Sequence, residues 1–456
     1  MSVVLVGILL LLALIGLVRP YIGLLALLIV MELQPGELYP YLAPLHLERV
    51  VGVLVLLAFL LNNEKWRIPP PAKWLLAFYA AMLASVPLAF WRGNSLAFCL
   101  SFAEIISYAL LASSLLTTEK RLRWFIVTLM LLIDWLGGSA LYNYDHGIWQ
   151  YTMHIQRAIG VTSSAGDPNS LATTLVTALP LAILLMVRSN PPWMRLLGLG
   201  SAAIGIVTVV DTGSRAAALS MIFLTLMLFV RKPKNLKFLP VLLLLSPIIW
   251  LVIPQQYKTR YETVDHLKND ESYQNRVLSW HGGIAMFESN PITGIGPDNY
   301  AIANGEKYWP GTGRKHWLDA HSLYFKLLGE LGLLGVFTFG GFVICLFRTN
   351  FRARQKLIEH GASSFLQEMP SMFNIILCLL LFAGYAAHDL YRSTWYLIGA
   401  MTASVSLLPA ALPSASAEQT SPDNVLDTGA DAQQWSPALL PVLRGNMQAG
   451  ARSVQA

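Results

Sequence analysis

The most constraining feature of this chain is its succession of apolar runs, most of roughly 16–20 residues, separated by short polar clusters. Hydrocarbon offers no water to backbone N–H and C=O groups, so runs of this length fold as helices that satisfy their own hydrogen bonds. Composition points the same way. Hydrophobic residues make up 55% of the chain and charged residues 13%, whereas a soluble domain carries about 25% charged residues. The expected fold is all-α: a polytopic integral membrane bundle of about 12–13 transmembrane helices.

Candidate spans fall at about 3–18, 21–34, 47–61, 74–91, 96–116, 124–142, 170–187, 196–211, 215–230, 238–253, 321–347, 372–390 and 393–410. The first, Val3 to Val18, has no basic segment before it and no A-x-A site after it, so it reads as a retained helix rather than a signal peptide. The chain then divides into N-terminal spans (1–253), a large loop (254–320), C-terminal spans (321–410) and a tail (411–456). The tail is rich in Ala, Ser, Gln, Pro and Asp without periodicity and is expected to be disordered.

Charge orients the spans. Glu119-Lys120-Arg121-Leu122-Arg123, Arg188 to Arg195, Arg231-Lys232-Pro233-Lys234 and Arg348 to Lys356 all fall on one side, which the positive-inside rule makes cytoplasmic. The net charge of +6 reflects these loops rather than a nucleic-acid surface. The opposite, periplasmic side receives 36–47, 143–169, 211–214, the loop 254–320 and the turn at His388-Asp389. In that loop Tyr273, Val277, Trp280, Ile284 and Phe287 recur at helical spacing, which predicts an amphipathic helix lying on the membrane surface or across the span bundle. Thr293-Gly294-Ile295-Gly296-Pro297 then predicts a turn that lets backbones approach closely.

The candidate chemistry lies on the periplasmic side. His321 opens a span, where the partial positive charge of a helix N-terminus disfavours imidazolium. A neutral imidazole there accepts a proton as a general base. Its alternative is an interfacial histidine bonded to loop carbonyls. Tyr324, three residues on, would share its helix face. Arg215 follows Asp211-Thr212-Gly213-Ser214 among small residues that permit close packing. It either points into the bundle toward an anion or snorkels to headgroups. Arg276 either pairs with Asp270 or Glu271 or converges with Arg215. Two arginines and a neutral histidine suit a pyrophosphate, because guanidinium forks bind phosphate oxygens bidentately.

Three further features have ordinary readings. Gly166-Asp167-Pro168-Asn169 reads as a turn and helix cap. Glu104 is expected to pair within the bundle, and Asp389 with Arg392. Cys99, Cys345 and Cys378 lie in apolar segments without ligand-like spacing, so neither a disulfide framework nor a metal site is expected. The chain shows no nucleotide motif and calls for no cofactor.

Five segments in order resemble the bacterial O-antigen ligase and O-antigen polymerase superfamily. They are Gly166-Asp167-Pro168-Asn169-Ser170-Leu171-Ala172, similar to the family's G-N-P-N-x-x-A, and Thr212-Gly213-Ser214-Arg215, similar to T-x-S-R. Asn275-Arg276 with Trp280 follows, then Asn290-Pro291 to Gly296, then Ala320-His321-Ser322-Leu323-Tyr324 with Glu330-Leu331-Gly332. The resemblance runs from about Gly160 to Phe347. Asp167 departs from the usual Asn, and Ser322 follows His321 directly where the family varies. The resemblance implies a multi-pass inner-membrane glycosyltransferase acting on the periplasmic side. Its donor would be a glycan on undecaprenyl pyrophosphate and its acceptor a sugar such as that of lipid A–core, with inversion and without metal or nucleotide. Arg215 and Arg276 would hold the pyrophosphate, with Tyr324 beside them, and His321 would deprotonate the acceptor or position the phosphate. A repeat-unit polymerase or a protein O-glycosylation ligase shares this chemistry. A lipid-linked sugar flippase is the alternative of another class, and it would gather charges at mid-membrane rather than at the outer mouth.

Overall fold

Every candidate span that falls on described residues is a helix. The computed structural model describes residues 2–152, 155–162, 165–231, 255, 258, 271–310, 316–387 and 389–409. The candidate span 238–253 and the tail 411–456 lie outside them. The N-terminal helices are α1 (Ser2–Val18), α2 (Pro20–Leu33), α3 (Leu47–Leu61), α4 (Pro70–Ser85), α5 (Arg92–Leu115) and α6 (Glu119–Asp145). A short antiparallel hairpin, β1 (Gln150–Thr152) and β2 (Ile155–Arg157), interrupts an otherwise helical fold. Then come α7 (Pro168–Leu185), α8 (Pro192–Asp211), α9 (Arg215–Arg231), α10 (Glu271–Ser289), α11 (Leu323–Glu359), α12 (Ser364–Ala383) and α13 (Ser393–Leu407). Among the described residues, eight helical segments are long and apolar enough to cross a membrane, and α1 and α2 are shorter apolar helices.

The sidedness of apolar residues fits a bundle solvated by lipid. On α9, Leu219, Ile222, Leu226 and Val230 form one stripe and are 56–68% exposed, while Ala217, Ser220 and Leu224 face inward. A water-soluble helix reverses this pattern. The most enclosed membrane-length helix is α7, with 78% of its apolar window buried against 28–61% in the others.

The basic loops meet at one end of the bundle. Ser363 Oγ donates to Glu119 at 2.7 Å, and Arg123 Nε donates to the same carboxylate at 2.9 Å. Arg123 also bonds Asn190 and lies 4.2 Å over the Phe365 ring, and Arg231 pairs with Glu368. The loops α6, α8, α9 and α12 start or end in are therefore neighbours, as their shared charge implied. Glu104 pairs with Arg49 on α3 at 2.8 Å.

Two helix boundaries differ from expectation. The 37 residues of α11 carry it past 347 through Arg348, Arg352, Arg354 and Lys356, so its last turns extend beyond the apolar stretch. Helix α12 starts at Ser364, capped by Ser363, whose hydroxyl accepts from Leu366 N at 3.3 Å, and it ends at Ala383. Asp389 consequently sits in a 3-10 turn (Asp389–Tyr391) rather than at the end of a span. His388 lies outside the described residues.

The 290–297 turn is built into a kink in α11. Gly332 is non-helical (φ 57°, ψ −154°), which breaks the i to i−4 ladder. The turn supplies the missing partners. Ile295 N and Gly296 N donate to the Gly329 and Glu330 carbonyls, both at 2.9 Å. Leu333 N and Leu334 N donate to Pro291 and Ile292 at 2.8 and 3.0 Å. A Cβ on Gly294 (φ 65°) would stand 2.2 Å from the Glu330 carbonyl carbon. That neighbour is backbone and cannot rotate away. Gly294→Ala is therefore expected to destabilise the protein by about 2–5 kcal/mol, from left-handed strain and overpacking together. Gly138→Ala, whose Cβ would meet nothing within 4 Å, should be neutral or slightly stabilising. Thermal unfolding of both variants in detergent checks this, and equal melting temperatures would count against the described turn.

Candidate functional site

Arg215, Arg276 and His321 are all presented at the end of the bundle opposite the basic loops, each by a different local device. Arg215 is the first residue of α9, whose other end, Arg231, pairs with Glu368 at the basic end. The turn before it is held from three sides. Gly213 takes φ 58°. Thr212 and Ser214 are buried, and Ser214 Oγ donates to Asn169 Oδ1 at 3.0 Å. The buried Arg157 donates from Nε to the Thr212 carbonyl at 2.7 Å and from Nη2 to Asn169 Oδ1 at 2.9 Å. A guanidinium has no acceptor, so this contact fixes the Asn169 amide with its oxygen inward. The GDPN segment does cap α7 as expected: Asp167 Oδ2 accepts from Ser170 N at 2.8 Å. Its Asn169 has the further task of tying α7 to the Arg215 turn.

His321 stands two residues before α11 in the left-handed region, at φ 46°. A non-glycine residue held there costs about 1–3 kcal/mol, and such strain gathers where surroundings over-determine a conformation. The surroundings here are explicit. Trp280 Nε1 donates to the Ala320 carbonyl at 3.1 Å, and Ser279 Oγ donates to that of Asp319 at 2.9 Å. Leu323 N donates to the Gly384 carbonyl at 2.7 Å. Lys326 Nζ grips Asp319 at 2.8 Å from the first turns of α11. Arg276 is half-buried on α10, one helical turn before Ser279 and Trp280. The helix that carries Arg276 thus fastens the backbone leading into His321.

One expectation needs correction. His321 is not helical, so the three-residue spacing does not put Tyr324 on a common face with it. Tyr324 instead donates its hydroxyl to the Leu381 carbonyl at 2.8 Å, and its ring is 40% exposed. The apolar stripe of α10 is distinct from the face through which the helix packs most closely on the bundle. Tyr273 and Ile284 are exposed, and the helix packs through Ser279, Gly282, Gly283 and Met286. Asn304 and Tyr300 approach Gly282 and Gly283 where a Cβ would stand only 2.2 and 2.3 Å away. Close approach, not apolar periodicity, selects the buried face. Asp270 and the Glu271 side chain, offered as partners for Arg276, lie outside the described residues.

A buried polar chain joins the His321 region to the Arg215 region. Glu330 is fully buried and accepts from Tyr300 N at 3.1 Å and from the Tyr391 hydroxyl at 2.7 Å. Lys326 stands 3.9 Å from it. Burial pushes the Tyr391 phenol well above its ordinary range, so it remains a donor. Burial also raises the Asp298 carboxyl, against the opposing charge of Lys326 and a hydrogen bond from Asn94. Next to Tyr391, Arg392 pairs with Asp389 at 2.9 Å, as its sequence neighbourhood implied. It also donates to Thr174 Oγ1 at 2.6 Å on α7. The turn leading into α13 is thereby locked to both α7 and α11 at the polar mouth.

Sequence patterns gave no sign of Arg157, Lys326 or the second role of Arg392. Arg157 lies in a short hairpin with no periodic signal. Lys326 resembles an ordinary interfacial lysine. The signal that could have found Lys326 is its i, i+4 spacing to Glu330 inside an apolar helix, since buried charges require partners. Chemically, an arginine at the N-terminal end of α9 favours an anion there.

Residues 200–340 match the family model described as O-antigen ligase. That stretch contains Arg215, Arg276, His321 and Tyr324, and it spans the α8–α9 turn and the kink of α11. No curated protein matches the chain. Within its all-α membrane architecture, the segment that carries these residues is thus similar to the O-antigen ligase family.

Proposed function

We propose that the protein transfers a glycan from an undecaprenyl-pyrophosphate-linked donor to an acceptor sugar at the periplasmic face of the inner membrane. The observation that carries this reading is the O-antigen ligase match across the segment holding Arg215, Arg276 and His321. In this reading Arg215 and Arg276 grip the pyrophosphate and stabilise the charge that builds on it as it leaves. His321 takes the proton from the acceptor hydroxyl, and Tyr324 lines the same mouth. The hydroxyl attacks the anomeric carbon from the side opposite the leaving pyrophosphate and inverts it. Glycan profiling of a deletion strain tests the reading. Polymer retained on its carrier and lost from the lipid core supports ligation. Loss of all polymer points to a polymerase, and unchanged profiles reject both.

The periplasmic assignment rests on the basic clusters around Arg123, Asn190 and Arg231 gathering at the other end of the bundle. Lys307 is exposed beside the buried Tyr308 on the large loop. A cysteine placed there should react with a membrane-impermeant maleimide in intact spheroplasts. Labelling only after lysis would reverse the orientation and remove the periplasmic chemistry with it.

A further inference from the structure

We propose that Arg157 is a positioning residue: a buried guanidinium that fixes the turn presenting Arg215. The consequence for transfer rests on the reading of Arg215 as a pyrophosphate ligand; the positioning itself does not.

The α8–α9 turn has a natural pivot at Gly213, the only residue of Asp211 to Ser214 with a positive φ. Without restraint the start of α9 could swing about it. Strand β2 and the residue after it hold two places before that pivot directly, and a third after it through Asn169. Ala158 N donates to the Asp211 carbonyl at 2.9 Å, and Arg157 Nε donates to the Thr212 carbonyl at 2.7 Å. Arg157 Nη2 then reaches Asn169 Oδ1, the same atom that receives the Ser214 hydroxyl at 3.0 Å. Asn169 belongs to the first turn of α7, the most enclosed membrane-length helix among the described residues, so the turn is tied to a well-buried part of the bundle.

Arginine is an expensive way to make such bonds. Burying a charge is costly, and Arg157 is only 2% exposed. What arginine alone supplies is a rigid planar fork, whose donors reach the Thr212 carbonyl and the Asn169 amide at once. A lysine ammonium is a single point on a flexible stem. The burial that makes Arg157 costly also removes it from any ligand, so it acts through Arg215.

The test uses full-length protein without its native cysteines (Cys99→Ala, Cys345→Ala, Cys378→Ala). Reactivity of Arg215→Cys with a methanethiosulfonate is measured with and without Arg157→Lys. Asn169→Ala breaks the same link from the other side, in case Arg157→Lys fails to fold. The labelling rate should change at least about threefold in either variant, and an unchanged rate overturns the proposal. In parallel, a double-mutant cycle of Arg157→Lys and Arg215→Lys is read in transfer. Arg157→Lys alone should raise the donor KM about tenfold or more with the acceptor KM unmoved, and should cost less than about twofold once Arg215 is lysine. Losses that multiply would show that Arg157 does not act through Arg215. A changed labelling rate together with a fully active Arg215→Lys would sink the pyrophosphate reading and leave the positioning intact.

Discussion

His321→Ala is expected to lose about 10²- to 10⁴-fold in transfer, the usual cost of removing a general base, while folding and donor binding persist. The reason for the split is that a base acts on the acceptor and does not hold the donor. The left-handed backbone at His321 calls for a second variant, because alanine tolerates that conformation poorly. Asparagine visits it readily and carries no base. His321→Asn should therefore keep the α11 entry and still lose transfer. Near-wild-type transfer by His321→Asn would return His321 to an interfacial packing role. If both variants lose donor binding as well, His321 is a phosphate ligand and the base lies elsewhere at the mouth.

Arg215→Lys should lose on the order of 10²-fold in transfer, within the range for removing one preorganised donor to developing charge. Lysine keeps the charge and loses the fork, so the substitution separates bidentate phosphate binding from simple snorkelling. A snorkelling arginine tolerates lysine. Arg276→Ala should fall comparably if Arg276 is the second phosphate ligand. An exposed pair with a loop carboxylate would leave only a small effect. Donor-binding measurements on detergent-purified protein accompany both, since a ligand role raises the donor KM and leaves the acceptor KM alone. Wild-type kinetics in Arg215→Lys would remove the pyrophosphate from this end of the bundle.

The helical membrane bundle is written in the amino-acid sequence itself. Apolar run length determines it, because in hydrocarbon a helix is the way a lone segment satisfies its own backbone. Charge clustering predicts which loops share a side, and Arg123, Asn190, Glu119 and Ser363 do meet. The cap at Asp167 and the close-approach turn at Gly294 follow from residue chemistry alone.

Tertiary structure decided what local periodicity could not carry. The packed face of α10 is set by where Tyr300 and Asn304 arrive, some 20 residues away, which the apolar stripe does not indicate. The non-helical entry at His321 depends on Trp280, Ser279 and Gly384, none of them a sequence neighbour, and it removed the shared face with Tyr324. Arg157 and Asn169 owe their roles to partners brought in from distant segments of the chain. A buried charge or amide is defined by what satisfies it, and a sequence contains such groups without saying which of them will meet.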